Sequence, residues 1–237
     1  MFGVVYNLIM KRITDMAVEL FTKSKSTEAT LRHGVKLVTT RTGDGRYCCV
    51  DVAGAQSDER VVGDFVSEVL GGVLRKFVGG SGKVLVVGLG NNRFVADALG
   101  HKVCEMVVAD GRFMTFTPSV SGVTGIKSTV AIKAITEAVR PECVIVVDSL
   151  VCHEIERLGR SFQVTDTGIQ PGSGITRDNE RLDRGFLGCP VVAVGVPLVS
   201  VMNSHYVVPK TIDAVVARCA VIISGAILFA GKFSKDS

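Results

Sequence analysis

Tryptophan is missing from this chain of 237 residues, which also holds only three tyrosines and four histidines. It has no run of lysine and arginine and no basic stripe interleaved with aromatics. That argues against a nucleic-acid surface, despite a net charge of +4 and a pI near 8.7. The seven cysteines contain no C-x-x-C pair. Their odd number, and the apolar runs that hold several of them, read as reduced thiols of a cytosolic protein. A cysteine nucleophile needs a base beside it, and His153, directly after Cys152, would not face it on a helix. No internal repeat and no low-complexity linker interrupts the chain. Charged residues make up 21% and hydrophobic ones 47%, which is globular and excludes a disordered chain. The simplest organisation is one α/β domain over residues 1–237, with 1–13 as an N-terminal segment of its own.

Long apolar runs are also scarce. The opening MFGVVYNLIMKRI has neither a charged start nor a small-residue cleavage site, so it is not read as a signal peptide. CAVIISGAILFAG near the other end, bracketed by Arg218 and Lys232, is too short to cross a bilayer and is expected to be a buried core helix. The expected location is cytoplasmic, without membrane association.

What is present is organised around VLVVGLGNNRFVADALG, from Val84 to Gly100. Val84 to Val87 reads as a buried strand, followed by a turn through Gly88, Leu89, Gly90 and Asn91, with Asp97 just beyond. The third glycine of the dinucleotide fingerprint is missing. Cys143 to Val147 is a second such strand, and Asp148 stands at its end. Carboxylates past the ends of two central strands lie where open α/β sheets build their sites. Brought close in a partly dry cleft they cannot both ionise easily, and the pair can act as acid and base on a bound water. A divalent metal on Asp97 and Asp148 is the rival use, and no histidine stands ready as a third ligand. His101, four residues after Asp97, could approach it on a helix. His153 and His205 read as surface or structural residues.

Other elements follow from periodicity. TDMAVE opens a helix with Thr14 or Asp15 as cap, and VKLVTT and RYCCVDV flank a Gly-Asp-Gly turn as a hairpin. A helix with a wide apolar face runs from Asp58 to Gly79-Gly80, and others cover His101–Met106 and the stretch after Ser128, with Val130 and Ile132 inward. Leu150–Leu158 is read as a short helical piece. A strand in FQVT leads into a loop, TDTGIQPGSG, whose Asp166, Thr167, Gly172, Ser173 and Gly174 are candidate binding residues. Asp166 could instead stabilise its own loop, or the loop could offer N–H groups to an oxyanion or a phosphate. RDNERLDRG is expected to be solvated surface, VVAV a strand ending at Gly195-Val196-Pro197, and the last helix starts near Lys210. The alternation predicts a three-layer α/β sandwich on a mainly parallel or mixed sheet.

Six blocks in this order, TDMAVE, VVGLGNNRFVADALG, SVSGVTGI, VIVVDSL, VTDTGIQPGSGI and LGCPVVAVGVP, resemble the germination protease family of spore endopeptidases, from about Thr14 to Pro209. The resemblance implies a phosphorylase/hydrolase-like fold and an atypical aspartic-type endopeptidase, made as a zymogen and working as a homotetramer without a cofactor. Its substrates would be small acid-soluble spore proteins, in the forespore or spore core, and its proposed catalytic aspartates fall on Asp97 and Asp148. Gly88, Gly90 and Asn91 with the Asp166–Gly174 loop would then shape the cleft, and residues 1–13 would be a pro-segment or extension. The G-x-G-N pattern and the acid after it also resemble hydrogenase maturation endopeptidases, in which the matching acids bind nickel. Two other readings stay open: a non-catalytic homologue that binds a protein or small anion in the same cleft, and a metal-dependent maturation-type peptidase.

Overall fold

The computed structural model describes residues 14–21, 26–80, 82–172, 180–202 and 205–232. The described strands are β1 (Ser26–Thr30), β2 (Lys36–Arg41), β3 (Arg46–Asp51), β4 (Val84–Gly88), β5 (Phe113–Phe116), β6 (Cys143–Cys152), β7 (Ser161–Thr165), β8 (Val191–Met202) and β9 (His205–Val207). They form one sheet in the order β1-β2-β3-β7-β8-β6-β4-β5, and β9 folds back on β8. β8, β6, β4 and β5 are parallel, whereas β1, β2, β3 and β7 are antiparallel. The sheet is therefore mixed, and helices on both faces make a three-layer α/β fold.

The described helices are α1 (Ala17–Leu20), α2 (Glu59–Val78), α3 (Leu99–Met106), α4 (Ser121–Thr124), α5 (Ser128–Val139), α6 (Arg184–Leu187) and α7 (Ile212–Lys232). On one face α2, α3 and α7 cover Val84, Val86, Ile145, Val147, Val192 and Val194. Ile132 of α5 and Leu187 of α6 cover Leu85, Val87, Val144 and Val146 on the other. Because β4, the start of β6 and most of β8 are buried on both faces, they are continuously apolar rather than alternating.

α2 starts as its sequence predicts: the Asp58 carboxylate accepts from the N–H groups of Arg60 and Val61, satisfying two of the donors a helix start leaves open. The β2–β3 hairpin turns at Gly43–Gly45, where Thr42 N–H donates to the Gly45 carbonyl at 2.8 Å.

Several expectations are corrected. Leu150–Leu158 is not helical: β6 continues through Cys152 and only Ile155–Arg157 forms a 3-10 turn. β8 does not stop at Gly195 but runs on to Met202, carrying Pro197 beside an irregularity in its pairing with β6 between Leu150 and Val151. A bulge is where a strand tolerates a residue without an N–H. The helix of TDMAVE shrinks to α1, without a side-chain cap from Thr14 or Asp15. α5 starts at Ser128 with Lys127 in the cap position, and Val130 is exposed while Thr129 and Thr136 are buried. In the segment expected to be solvated, Leu182 is fully buried and exchanges backbone hydrogen bonds with Ile169. Residues 177–179 of that segment lie outside the described residues.

The last helix is also longer than its apolar core. Ile212–Gly231, with mean hydropathy 2.1, has the length and composition to cross a membrane. In this fold half of it is buried, and Val216, Cys219, Ala220, Ile223, Ala226 and Ile227 pack into the core against α2 and α3. A core helix passes the same test of length and apolarity.

Candidate active site

β4 stops pairing with β6 at Gly88 opposite Val147, so Asp148 is the first residue of β6 beyond its neighbour's end. There the chain leaves β4 and makes a closed turn that returns Asp97 to the same place. Leu89 N–H donates to the Val147 carbonyl at 2.9 Å, beside Asp148. Asn91 N–H then donates to both the Asp97 carbonyl (3.0 Å) and its Oδ2 (2.9 Å), and the turn Val95–Asp97 lies against β6 and β8.

Glycine makes this turn possible. A Cβ on Gly88 would overlap the Gly100 carbonyl, and one on Gly100 would overlap Leu89. Gly90 has φ 98 and lies against the Asp97 carbonyl, so a side chain there would be both strained and obstructed. Asn91 Oδ1 accepts from Arg93 N–H at 3.0 Å, which tightens the same loop. Gly88, Gly90 and Asn91, expected as cleft-lining residues, are in the structure the scaffold that positions Asp97.

The charge of Asp97 reaches Asp148. Burial raises Asp97 above the ordinary carboxylate range, opposed by the Asn91 hydrogen bond. Asp148 is raised much further, first by burial, then by the charge of Asp97, with Asp15 adding a smaller repulsion. Ser149 N–H, donating to Asp148 Oδ1 at 2.8 Å, pulls the other way. A carboxyl raised in this way beside a second carboxylate is the arrangement that can supply one acid and one base.

Other expected site residues are not brought here. Thr165 pairs with Ala193, whereas Asp148 pairs with Gly195, so Asp166 lies toward the amino ends of β6 and β8. Its Oδ1 accepts from Arg46 N–H at 2.7 Å and its Oδ2 lies 3.5 Å from Arg46 Nε. Among the described residues Asp166 is bonded to Arg46 and so ties β7 to the β2–β3 hairpin. The Thr167 hydroxyl is buried between Thr165 Oγ1 and Tyr47 Oη, each at 3.0 Å. Gly172 is exposed in a turn, and Ser173 and Gly174 lie outside the described residues. His101 does not pair with Asp97: burial lowers it, and the charge it feels is that of Glu105. Among the described residues no three His, Cys, Asp or Glu side chains are grouped to hold a metal ion. The described residues thus place no third ligand beside Asp97 and Asp148 for a divalent metal.

Two residues at the site escaped the sequence reading. Gln163, buried in β7, accepts from Ala17 N–H at 2.7 Å and donates to the Asp15 carbonyl at 3.0 Å. Asp15 N–H donates to the Val151 carbonyl at 2.9 Å, and Val151 N–H donates to Asp15 Oδ2 at 3.0 Å. The segment Thr14–Leu20 therefore bridges β6 and β7 on the Asp148 face, with Met16 fully buried beneath it. Arg157 anchors its far end, with Nε 3.3 Å from Glu19, Nη1 2.7 Å from Asp51 and Nη2 2.8 Å from Glu154. A polar residue in the apolar strand FQVT was the available signal, since a buried amide must have partners.

Fold and site together define an α/β protein with a carboxylate pair at the carboxyl end of its parallel strands. Comparison with known proteins makes this more specific. The family model for germination protease matches residues 26–220, and the chain belongs to that family. It is 30% identical to the germination protease of Bacillus subtilis over 190 residues, which is 72% of this chain and 51% of the relative. It is 34% identical to that of Halalkalibacterium halodurans over 202 residues, 73% of this chain and 54% of the relative. The chain thus spans about half the length of these curated relatives. Among solved structures, a nickel–iron hydrogenase maturation protease from Thermococcus kodakarensis superposes with a TM-score of 0.46 at 19% identity, over 66% of this chain and 99% of the other.

Proposed function

We propose that the chain is an aspartic-type endopeptidase that cleaves small acid-soluble spore proteins with Asp97 and Asp148. The observation that carries this is the carboxylate pair itself: two acids far apart in sequence, joined through Leu89 and Asn91 and coupled electrostatically. Family membership supports the peptide substrate.

In the active form Asp148, the more strongly raised of the two, holds the shared proton, and Asp97 is ionised. Asp97 takes a proton from water as its oxygen attacks the peptide carbonyl carbon, and Asp148 gives its proton to the carbonyl oxygen. The tetrahedral intermediate collapses when the nitrogen leaves as an amine, taking the proton from Asp97, while the hydroxyl proton returns to Asp148. No cofactor enters these steps. A homo-oligomer in the cytoplasm of the forespore or spore core belongs to the same reading.

The test is incubation of the full chain with purified small acid-soluble spore proteins, reading fragments by mass spectrometry. Cleavage by the wild type, lost by at least a hundredfold in folded Asp97→Asn and Asp148→Asn, is the expected result. Undiminished cleavage in either folded variant removes the assignment. A wild type that binds these proteins without cutting them is a binding homologue.

A further inference from the structure

We propose that Asp15 is a positioning residue for the carboxylate pair, holding the outer part of β6 in place and setting the charge that Asp148 faces. This rests on the peptidase reading only for its catalytic consequence. The geometry is independent of it.

β6 has lost β4 as a neighbour by Asp148, and its pairing with β8 slips between Leu150 and Val151. This part of the strand is the least supported by the sheet, yet Asp148 stands in it. Asp15 supplies what is missing. Its N–H donates to the Val151 carbonyl and its Oδ2 accepts from Val151 N–H, so both main-chain groups of one residue are held by one partner. Thr14 Oγ1 adds a third contact to the Val151 carbonyl at 3.3 Å.

Asp15 is itself held from behind. Gln163 binds its carbonyl and the N–H of Ala17, and Met16 between them is fully buried against Leu150, Cys152 and Leu158. Gly195 lies between Asp148 and Gln163 in the register and leaves its place to Leu150, so no side chain of β8 separates the two. Among the described residues, the charges that bear on Asp148 are those of Asp97 from the Val95–Asp97 turn and Asp15 from the N-terminal segment. The amide of Gln163 on β7 is neutral. Arg157 is occupied by Glu19, Asp51 and Glu154 at the other end of the segment.

Asparagine separates the two roles, because its side-chain oxygen still accepts from Val151 N–H while the charge is gone. The measurement is the carbon-13 titration of the Asp148 carboxyl in the full chain, with amide exchange at Val151 as the structural readout. In Asp15→Asn the Asp148 midpoint falls, as expected when a like charge is removed, and Val151 stays protected. In Asp15→Ala the midpoint falls and Val151 exchanges at least tenfold faster. Asp15→Glu keeps the midpoint near the wild-type value. If peptidase activity is present, its alkaline limb moves down in parallel in Asp15→Asn. An unchanged midpoint in both neutral variants overturns the proposal. The titration needs no turnover, so a wild type without peptidase activity sinks the proposed function and leaves this inference to be decided by the midpoint.

Discussion

Asp148 and Gln163 stand on the same face of the sheet, each paired in register with Gly195 of the strand between them. One carries a candidate catalytic carboxylate and the other grips the main chain of the segment that lies beside it. Support for the site therefore comes from the first described residues of the chain as well as from the strand that bears Asp148.

Replacing Gln163 with leucine keeps the bulk, leaves the N–H of Ala17 without its buried partner and removes the hydrogen bond to the Asp15 carbonyl. Each unpaired buried group costs about 1–3 kcal/mol. We expect a fall in thermal midpoint of several degrees and early proteolytic nicking near Met16. A variant as resistant to protease as the wild type would show that the segment is held without Gln163.

Asp148→Asn should stabilise the protein at neutral pH. The folded-state pKa of Asp148 lies above its unfolded value, so ionisation favours the unfolded chain as pH rises through the interval between the two. Relative to the asparagine variant, the wild type is unpenalised below about pH 4, near the unfolded carboxylate value, and loses stability above it. The gain at pH 7 is expected to vanish in acid. Thermal melts of both proteins at pH 3.5 and pH 7 decide this.

The same shifts set the pH profile of any peptidase activity. Both Asp97 and Asp148 are raised, so both limbs of the bell lie above those of free carboxylates. Activity falls in acid as Asp97 takes up its proton and at higher pH as Asp148 loses the shared one. Rates of fluorescent peptide cleavage from pH 3 to 9 test the expectation, and a flat profile over that range would contradict it.

Gly90→Ala should damage the site more than the fold. The new methyl group meets the Asp97 carbonyl and approaches its carboxylate, at a residue whose φ is 98. A backbone penalty of about 1–2 kcal/mol is compatible with folding, while displacement of Asp97 lowers kcat at least tenfold. Gly54→Ala, beside an open region of the surface, is the control.

Arg157→Met should cost about 3–5 kcal/mol, because it leaves Glu19 buried without its cation. The Glu19 side chain is only 4% exposed. Urea unfolding would show the loss, and adding Glu19→Gln should recover part of it.

Much of this was legible in the sequence. β4, the first half of β6 and α2 are continuous apolar or helical patterns with caps, and they were readable because burial on both faces or on one helix face leaves a periodic mark. The placement of Asp97 and Asp148 followed from strand ends alone. What could not be read was decided by pairing: Pro197 sits inside β8 because the pairing slips beside it, and Leu150–Leu158 is partly strand because β8 runs alongside. Asp166 looked like part of the site because antiparallel β7 reverses its direction, which local sequence does not record. Asp15 and Gln163 meet across 148 residues of chain.

The cysteines give the fold built-in probes of its opening. Cys48, Cys104, Cys143 and Cys219 are packed on the α2–α7 face, and Cys49 and Cys152 under the N-terminal segment, while Cys189 is partly exposed. Burial pushes the thiols of Cys49, Cys143 and Cys152 up to about 12, so in the native state they resist alkylation at neutral pH. A pulse of alkylating reagent followed by peptide mapping would therefore tag each region as it comes apart, reporting whether the N-terminal cover lifts before the layer of α2, α3 and α7 does.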